Sequence, residues 1–222
     1  MKEIVLDTET TGLSVKDGHR IVEIGCIELE NFMPTNNKFH YYLNPERKVS
    51  EKALEVHGYT NEFLSNKKKF SEIADEFLNF IKDKKIIIHN AEFDITHLNN
   101  ELQIAGKSKI DKKNTIDTLE IARDKFPGSG VSLDALCKRY RIDNSKREKH
   151  TALMDCELLS KIYINLLDQK EPTLDFNTIN KDINNLDEKE EMDYFKKVII
   201  ANSEEVQIHK KYLKNSLKKN NF

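Results

Sequence analysis

A chain of 222 residues is long enough for one substantial hydrophobic core with an appendage, but short for two full-sized domains. With 38% hydrophobic and 33% charged residues, its composition excludes a disordered polyelectrolyte, and no apolar run approaches the roughly 18 residues of a bilayer span. The segment Met1–Asp7 has too short an apolar stretch for a secretory signal, which predicts a cytoplasmic protein. Cys26, Cys137 and Cys156 have the spacing of neither a zinc site nor a disulfide framework, which predicts reduced packing residues.

The charges are distributed unevenly along the chain. A formal net charge of −2 gives no global attraction to nucleic acid, so contact with phosphate must depend on local charge or bound cations. Residues 171–193 carry eight acids and two lysines, a charge of −6, whereas residues 194–222 carry seven lysines and two acids, a charge of +5. This shift predicts a folded domain at 1–170, an acidic flexible linker at 171–193 and a basic tail at 194–222.

Strand and helix patterns follow one another along the first part of the chain, which indicates an α/β domain. The predicted strands are Lys2–Asp7, Arg20–Leu29, Lys38–Leu43, Ile86–Ile88 and Thr115–Ile116, with Asn31–Asn37 joining the second to the third. The predicted helices are Ser50–Val56, Phe70–Ile81, Ala91–Ala105, Thr118–Lys125, Ser132–Tyr140 and Thr151–Leu167. The first three strands suggest a meander, and the tail is predicted to contain a strand at Val198–Ile200 and a helix at Ser203–Leu217.

Two acids end the first predicted strand. Because side chains alternate along a strand, Asp7 and Glu9 are expected on the same side, where two carboxylates repel each other. A solvated strand end explains this pattern equally well when it is taken alone.

Two further acids, Asp94 and Asp155, lie on the apolar faces of predicted helices. Leucines follow Asp94 at four and eight positions, and apolar residues follow Asp155 at three, four, seven and eleven positions. A carboxylate on a buried face costs several kcal/mol unless it is compensated. A helix-dipole partner or a salt bridge would explain one such acid, but two of them together with Asp7 and Glu9 favour a common site.

Four acids in one partly desolvated site would together approach a charge of −4, which divalent cations can neutralise. Hard oxygen ligands favour magnesium or manganese over zinc. Two such ions, about 3.5–4 Å apart, can clamp the attacking and leaving oxygens of a phosphodiester displacement. The acids therefore predict metal-assisted phosphoryl hydrolysis with two divalent cations.

His150 is the candidate general base. Five residues subtend about 500° on an ideal helix, so His150 and Asp155 cannot share one helical face. His150 is therefore expected on the loop that enters the last helix, with Thr151 as a candidate N-cap. Its titration near neutrality suits the deprotonation of water, although a histidine flanked by Arg147 and Lys149 is more often an ordinary surface residue.

Three segments resemble the three exonuclease motifs of the DEDD superfamily, histidine subtype. They are Asp7–Leu13, His89–Asp94 and His150–Asp155, in the order and with the gaps of that family. The stretch Ser132–Ser145 resembles the branch that proofreads for bacterial DNA polymerase III, and the resemblance covers residues 1–168. It implies a ribonuclease H-like α/β fold, a mixed five-stranded sheet flanked by helices. It also implies hydrolysis of a nucleic-acid strand from its 3′ end with release of nucleoside 5′-monophosphates.

The resemblance also implies individual roles. Asp7, Glu9 and Asp155 would hold one metal, Asp7 and Asp94 would hold or orient the second, and His150 would be the general base. The substrate contacts that it implies are Asp7, Glu9, Thr10, Gly12, Leu13, His57, Phe93 and Asp155. For His57 and Phe93, a helix-terminal histidine and a core aromatic residue remain the alternatives.

Two segments near the C-terminus are expected to bind partner proteins. Glu171–Phe176 is vaguely similar to the peptides with which replication proteins bind the sliding clamp, although Glu171 stands where glutamine is usual. Tyr194–Leu217 resembles the segment with which the proofreading branch binds the polymerase subunit, and a solvated basic helix is the alternative. An RNA-trimming exonuclease of the same superfamily and a binding subunit that only stabilises a polymerase also stay open as functions.

Overall fold

A computed structural model of the chain describes residues 2–145, 147, 149–168 and 202–216. These residues fall into two units, an α/β domain within 2–168 and a helix at Ser203–Ser216. None of the helices in this described part combines the length and the apolar composition that a membrane crossing needs. The predicted linker and strand at Val198–Ile200 lie outside the described residues.

The domain is built on a mixed sheet in the strand order β3-β2-β1-β4-β5. The strands are β1 (Lys2–Thr10), β2 (Ile21–Glu30), β3 (Met33–Tyr42), β4 (Lys85–Ile88) and β5 (Thr115–Asp117). The first three strands form an antiparallel meander, and β4 and β5 join it in parallel to β1. The predicted five-stranded mixed sheet is therefore confirmed.

The third strand begins earlier than the sequence pattern predicted. Asn31 and Phe32 have φ angles of 49° and 66°, so two residues are enough to reverse the chain. Met33 therefore pairs directly with Glu30, in a segment that was expected to be a connection. Pro34 is tolerated because β3 is an edge strand, where a missing N–H breaks no ladder bond on the open side.

The helices agree with their predicted limits to within one residue. In chain order they are α1 (Glu51–His57), α2 (Asn61–Ser65), α3 (Phe70–Ile81), α4 (Ala91–Ile104), α5 (Thr118–Lys125), α6 (Leu133–Tyr140), α7 (Ala152–Leu166) and α8 (Ser203–Ser216). Ser50, Ser132 and Thr151 are N-caps, which explains why these helices start one residue later than predicted. The five-residue α2 was not predicted because it is too short for hydrophobic periodicity to appear.

Apolar side chains fill both faces of the sheet. On one face Ile4 and Leu6 of β1 pack with residues of α3 and α4, among them Phe77 and Leu98. On the other face Val5 packs with residues of α6 and α7. Even-numbered residues of β1 therefore face the layer of α3 and α4 (the α4 layer), and odd-numbered residues face the layer of α6 and α7 (the α7 layer). Asp7 and Glu9 are odd-numbered and belong to the α7 side.

Gly25 lets α7 lie directly on the sheet. It pairs with Asp7 in the β1–β2 ladder, and a Cβ atom placed on it would lie 2.7 Å from the backbone of Ala152 and Leu153. We expect Gly25→Ala to push the start of α7 away from β2 and to lower the free energy of unfolding by about 1–3 kcal/mol. Thermal unfolding should show this loss. Gly130→Ala is the matched control, since its Cβ would make only a 3.6 Å contact with Ala135. Equal melting temperatures for the two variants would contradict this account.

Candidate active site

The carboxyl end of β1 carries the first two acids. β1 pairs with β2 as far as Thr10, but its pairing with β4 ends at Val5. The last residues of β1 therefore have a free edge on the β4 side. Glu9, which is 9% exposed, lies at this end of the strand, and Asp7 precedes it by two residues.

Asp94 occupies the free edge of β1. Its Oδ1 accepts hydrogen bonds from the Thr8 backbone N–H at 3.1 Å and from the Thr8 hydroxyl at 2.6 Å. The side chain lies in the first turn of α4 and is 3% exposed. The carboxylate thus replaces the missing strand partner of Thr8 and joins the α4 layer to the end of β1.

Asp155 and His150 approach from the α7 layer. Asp155 lies in the first turn of α7, and His150 lies on the loop before the Thr151 cap, as predicted. One ligand atom each from Glu9, His150 and Asp155 lie within 4.8 Å of one another. Asp155 is buried, whereas the His150 side chain is 45% exposed and can meet a substrate.

Burial and mutual repulsion shift the acids of this cluster strongly. Burial, with the charge of Asp155 next in importance, raises the pKa of Glu9 to about 8. Burial also raises the pKa of Asp94 to about 7, against the hydrogen bonds from Thr8, and raises the pKa of Asp7 well above its usual range. Burial opposes ionisation of Asp155 too, but hydrogen bonds and the positive charge from the Arg147 guanidinium hold the pKa of Asp155 below its usual range.

The structure places the predicted acids in one neighbourhood but not in one tight group. Besides burial, the charges of Asp94, Asp155 and Glu9 all raise the pKa of Asp7. The four acids therefore repel one another electrostatically. The close group within 4.8 Å nevertheless contains Glu9, His150 and Asp155 without Asp7 or Asp94. The donors are carboxylate oxygens and one imidazole nitrogen, and burial together with the neighbouring acids raises the pKa of Glu9 in this group. This donor set fits a divalent cation.

A cavity of about 430 Å³ opens beside these acids. Its lining includes six of the predicted substrate-binding residues: Glu9, Thr10, Gly12, Leu13, His57 and Phe93. Asp7 and Asp155, also predicted to contact substrate, are not part of that lining. Phe93 is half-buried on the cavity wall, so it is not a core residue. Leu13 is 83% exposed at the cavity rim.

His57 has a hydrogen-bond donor to spare at this cavity. It is the last residue of α1 and is 3% exposed. Its Nδ1 accepts from the Tyr59 backbone N–H at 3.0 Å, and the two rings stack with centroids 4.8 Å apart. An acceptor at Nδ1 places the proton of the neutral ring on Nε2, which makes no well-formed hydrogen bond. A buried, unpaired N–H is costly and favours a ligand that can accept it.

Glu23 is a supporting residue that the sequence did not reveal. It is fully buried and pairs with Glu9 across the β1–β2 ladder. Its carboxylate lies 2.7 Å from His40 Nε2 and accepts from the Tyr59 hydroxyl at 2.8 Å and from the Ala152 N–H at 2.9 Å. It therefore holds the start of α7 and the aromatic residue stacked on His57. The strand alternation predicted nothing of this kind, because these partners are distant in sequence.

Replacing Glu23 should test this support. We expect Glu23→Leu to remove the acceptor of the buried Ala152 N–H and of the partly buried Tyr59 hydroxyl, and to cost about 3 kcal/mol of unfolding free energy. Glu23→Gln keeps one acceptor oxygen and the side-chain shape, so its loss should be much smaller. Urea unfolding of both variants measures the difference. A leucine variant as stable as the glutamine variant would contradict the assigned role.

Comparison with known proteins identifies the class. The family described as Exonuclease matches residues 4–163. The DNA polymerase III subunit epsilon of Rickettsia conorii is 47% identical over an alignment of 228 positions, which covers 98% of this chain and 97% of that protein. The same subunit of Escherichia coli K12 is 47% identical over 171 residues, covering 73% of this chain and 70% of that protein.

Solved structures agree with this at the level of the fold. The nuclease domain of 3′hExo, a DEDDh family member bound to rAMP, matches with a TM-score of 0.66 at 17% identity, over 76% of this chain and 92% of that one. Exonuclease X in complex with 5′ overhanging duplex DNA matches with a TM-score of 0.59 at 24% identity, over 75% of this chain and 92% of that one.

The fold and the acidic site thus define a metal-dependent exonuclease of the ribonuclease H-like class. Within that class, the chain belongs to the family of DNA polymerase III epsilon subunits. Its function is that of a 3′–5′ proofreading exonuclease.

Proposed function

We propose that the site hydrolyses the 3′-terminal phosphodiester of DNA with two divalent cations, Mg²⁺ or Mn²⁺, and releases a 5′-dNMP. The close group of Glu9, His150 and Asp155, beside acids of raised pKa, is the observation that carries this proposal. Asp7, Glu9 and Asp155 would hold one cation, and Asp7 with Asp94 the other. When bound, the cations would supply charge stabilisation at the attacking and leaving oxygens.

His150 acts as the general base in this proposal. Its position on the loop before α7 leaves it 45% exposed beside two buried carboxylates. The backbone N–H of His150 donates to the Val56 carbonyl at 3.2 Å, which ties this loop to the helix that ends at His57. Such a base can take the proton of the attacking water while the acids stay in place.

The cavity would receive the terminal nucleotide. The unpaired Nε2–H of His57 would donate to its phosphate or sugar, and Phe93 would stack on its base. Stacking on an aromatic ring tolerates any base, as the removal of any mispaired end requires. Gly12 keeps the backbone of this turn free of a side chain, and the exposed Leu13 would contact the strand end.

The tail would deliver the nuclease to its substrate. The relatives are named as subunits of DNA polymerase III, and the similarity to the Rickettsia conorii subunit extends over 98% of this chain. We therefore assign 1–170 to the exonuclease domain, 171–193 to a linker and 194–222 to the segment that binds the polymerase alpha subunit. Helix α8 supports this, because Val206, Ile208 and Tyr212 are exposed on it. A tether raises the local concentration of nuclease at the primer end.

A sliding-clamp contact through Glu171–Phe176 is a further proposal that lies outside the described residues.

Digestion of a 3′-labelled primer by the purified full chain tests the function. We expect faster release of dNMP from a mispaired end than from a paired end, and no release in EDTA. A matched RNA oligomer should be degraded more slowly. Preference for RNA would support the RNA-trimming alternative, and cleavage that survives EDTA would reject the metal assignment.

The double variant Asp7→Ala, Glu9→Ala separates catalysis from assembly. It should abolish cleavage and leave binding of the polymerase alpha subunit unchanged, because the tail carries that contact. Unchanged cleavage would show that these acids do not hold the metal. Loss of alpha binding would place the contact in the nuclease domain.

A further inference from the structure

Arg147 lies at the centre of the acidic site, although it has no role in the proposed hydrolysis. Its Nε donates to Oδ1 of Asp155 at 2.6 Å, and its Nη2 donates to Oδ2 at 2.6 Å. The arginine side chain is only 6% exposed. Both oxygens of a proposed metal ligand therefore face a buried positive charge in a two-pronged contact.

The same guanidinium engages the proposed base. Nη2 of Arg147 lies 2.8 Å from Nδ1 of His150, whereas Nδ1 is 3.5 Å from Asp155. A guanidinium can only donate, so Nδ1 accepts this bond and the neutral ring carries its proton on Nε2. Neither ring nitrogen then offers a free lone pair to a water molecule. In this arrangement His150 cannot act as a base.

Arg147 also has a partner outside the proposed ligand set. Its Nη1 donates to Oδ1 of Asp134 at 2.8 Å. Asp134 lies in the first turn of α6, is 56% exposed, and also accepts from the Asn144 side chain at 2.9 Å. The guanidinium therefore keeps one carboxylate partner if it gives up Asp155.

We propose that Arg147 is an internal counter-ion of the acidic site, which competes with divalent cations for Asp155. When a cation binds, the guanidinium leaves Asp155 and keeps its contact with Asp134. This inference rests on the proposed function, because it requires a cation at Asp155. A guanidinium and a divalent cation on one carboxylate repel each other, so each weakens the binding of the other. The bond to His150 Nδ1 breaks in the same movement. The base therefore becomes available only when the cation is in place.

Calorimetric titration of the full chain with Mg²⁺ and with Mn²⁺, without nucleic acid, tests the competition. Arg147→Gln should bind the cations at least about tenfold more tightly than wild type, which corresponds to about 1.4 kcal/mol. The matched control is Arg123→Gln, which removes an exposed arginine of α5 and should leave cation affinity unchanged. In EDTA, Arg147→Gln should melt below wild type because Asp155 loses its counter-ion, and saturating Mg²⁺ should remove that deficit.

The outcomes separate this inference from the proposed function. Equal or weaker cation binding by Arg147→Gln would overturn the competition and leave the metal site standing. Absence of cation binding by both proteins would overturn the metal site and this inference together.

A second measurement uses the wild-type chain and does not depend on the folding of that variant. In ¹⁵N-arginine spectra, the Nε–H resonance of Arg147, assigned with Arg147→Lys, should exchange slowly in EDTA because it is buried and bonded to Asp155. Saturating Mg²⁺ should move it towards the resonances of exposed arginines. A resonance that Mg²⁺ leaves in place would overturn the proposal.

Discussion

Replacement of Glu9 by glutamine is expected to lower Mg²⁺-dependent release of dNMP by about a thousandfold or more, and to raise the melting temperature in EDTA at pH 8. Glutamine nearly preserves the shape of the side chain but removes the charge that a metal ligand supplies. The same change removes a group whose pKa is raised to about 8 by burial and by the neighbouring acids. The variant should therefore be less active and yet more stable without a cation.

The control for this change is Glu120→Gln, which makes the same substitution at an exposed glutamate of α5. It should leave both activity and melting temperature unchanged. Single-turnover digestion of a mispaired primer gives the rate, and differential scanning calorimetry gives the stability. A Glu9→Gln protein that cleaves normally would remove Glu9 from the metal site. One that melts lower in EDTA would contradict the electrostatic account.

In EDTA, the stability of the domain is expected to fall as the pH rises from about 6.5 to about 8. Glu9 and Asp94 have folded-state pKa values of about 8 and about 7, with burial as the main cause. Their unfolded values are about 4.3 and 3.9, so the folded chain holds more protons across this window. Each extra proton makes the free energy of unfolding fall by about 1.4 kcal/mol per pH unit. The lowered pKa of Asp155 acts in the opposite sense, but its contribution is already complete above about pH 5. Burial also lowers the pKa of His57 and His97, which makes stability rise with pH, but only up to about pH 6.5.

Melting temperatures measured from pH 5 to pH 8.5, with EDTA and with saturating Mg²⁺, check this expectation. The cation binds the ionised carboxylates, so it should flatten the decline and separate the two curves progressively towards high pH. For a domain of this size, each kcal/mol corresponds to about 2–4 °C. Parallel curves, or stability in EDTA that rises with pH above about 6.5, would show that the acids do not interact as a buried cluster that needs a cation.

The sequence predicted those parts of the fold that depend on local pattern. The periodicity of α3 gave its limits correctly, and Ser50, Ser132 and Thr151 marked helix starts because their side chains cap the first turn. β3 was predicted too short, because its start depends on a two-residue reversal at Asn31 and Phe32.

The candidate site was predicted only in part. The apolar spacing around Asp94 and Asp155 correctly indicated buried carboxylates, and both are 5% exposed or less. It could not show that their helices pack on opposite faces of the sheet, because that depends on contacts between residues distant in sequence. Glu23 and Arg147 were not recognised as parts of the site. The partners of Glu23 are scattered along the chain, and Arg147 lies on an irregular loop without periodicity.

The unequal pairing of β1 with its two neighbours has a mechanical consequence. Because β4 leaves β1 after Val5, one helical layer reaches the strand end through Asp94 while the other reaches it through Asp155. In the proposed arrangement, one cation is held through Asp155 and the other through Asp94, and Asp7 is a ligand of both, so the pair of ions would link the two helical layers through the thickness of the domain. The same carboxylate oxygens would then serve both the hydrolysis of the strand end and the attachment of the two helical layers to each other.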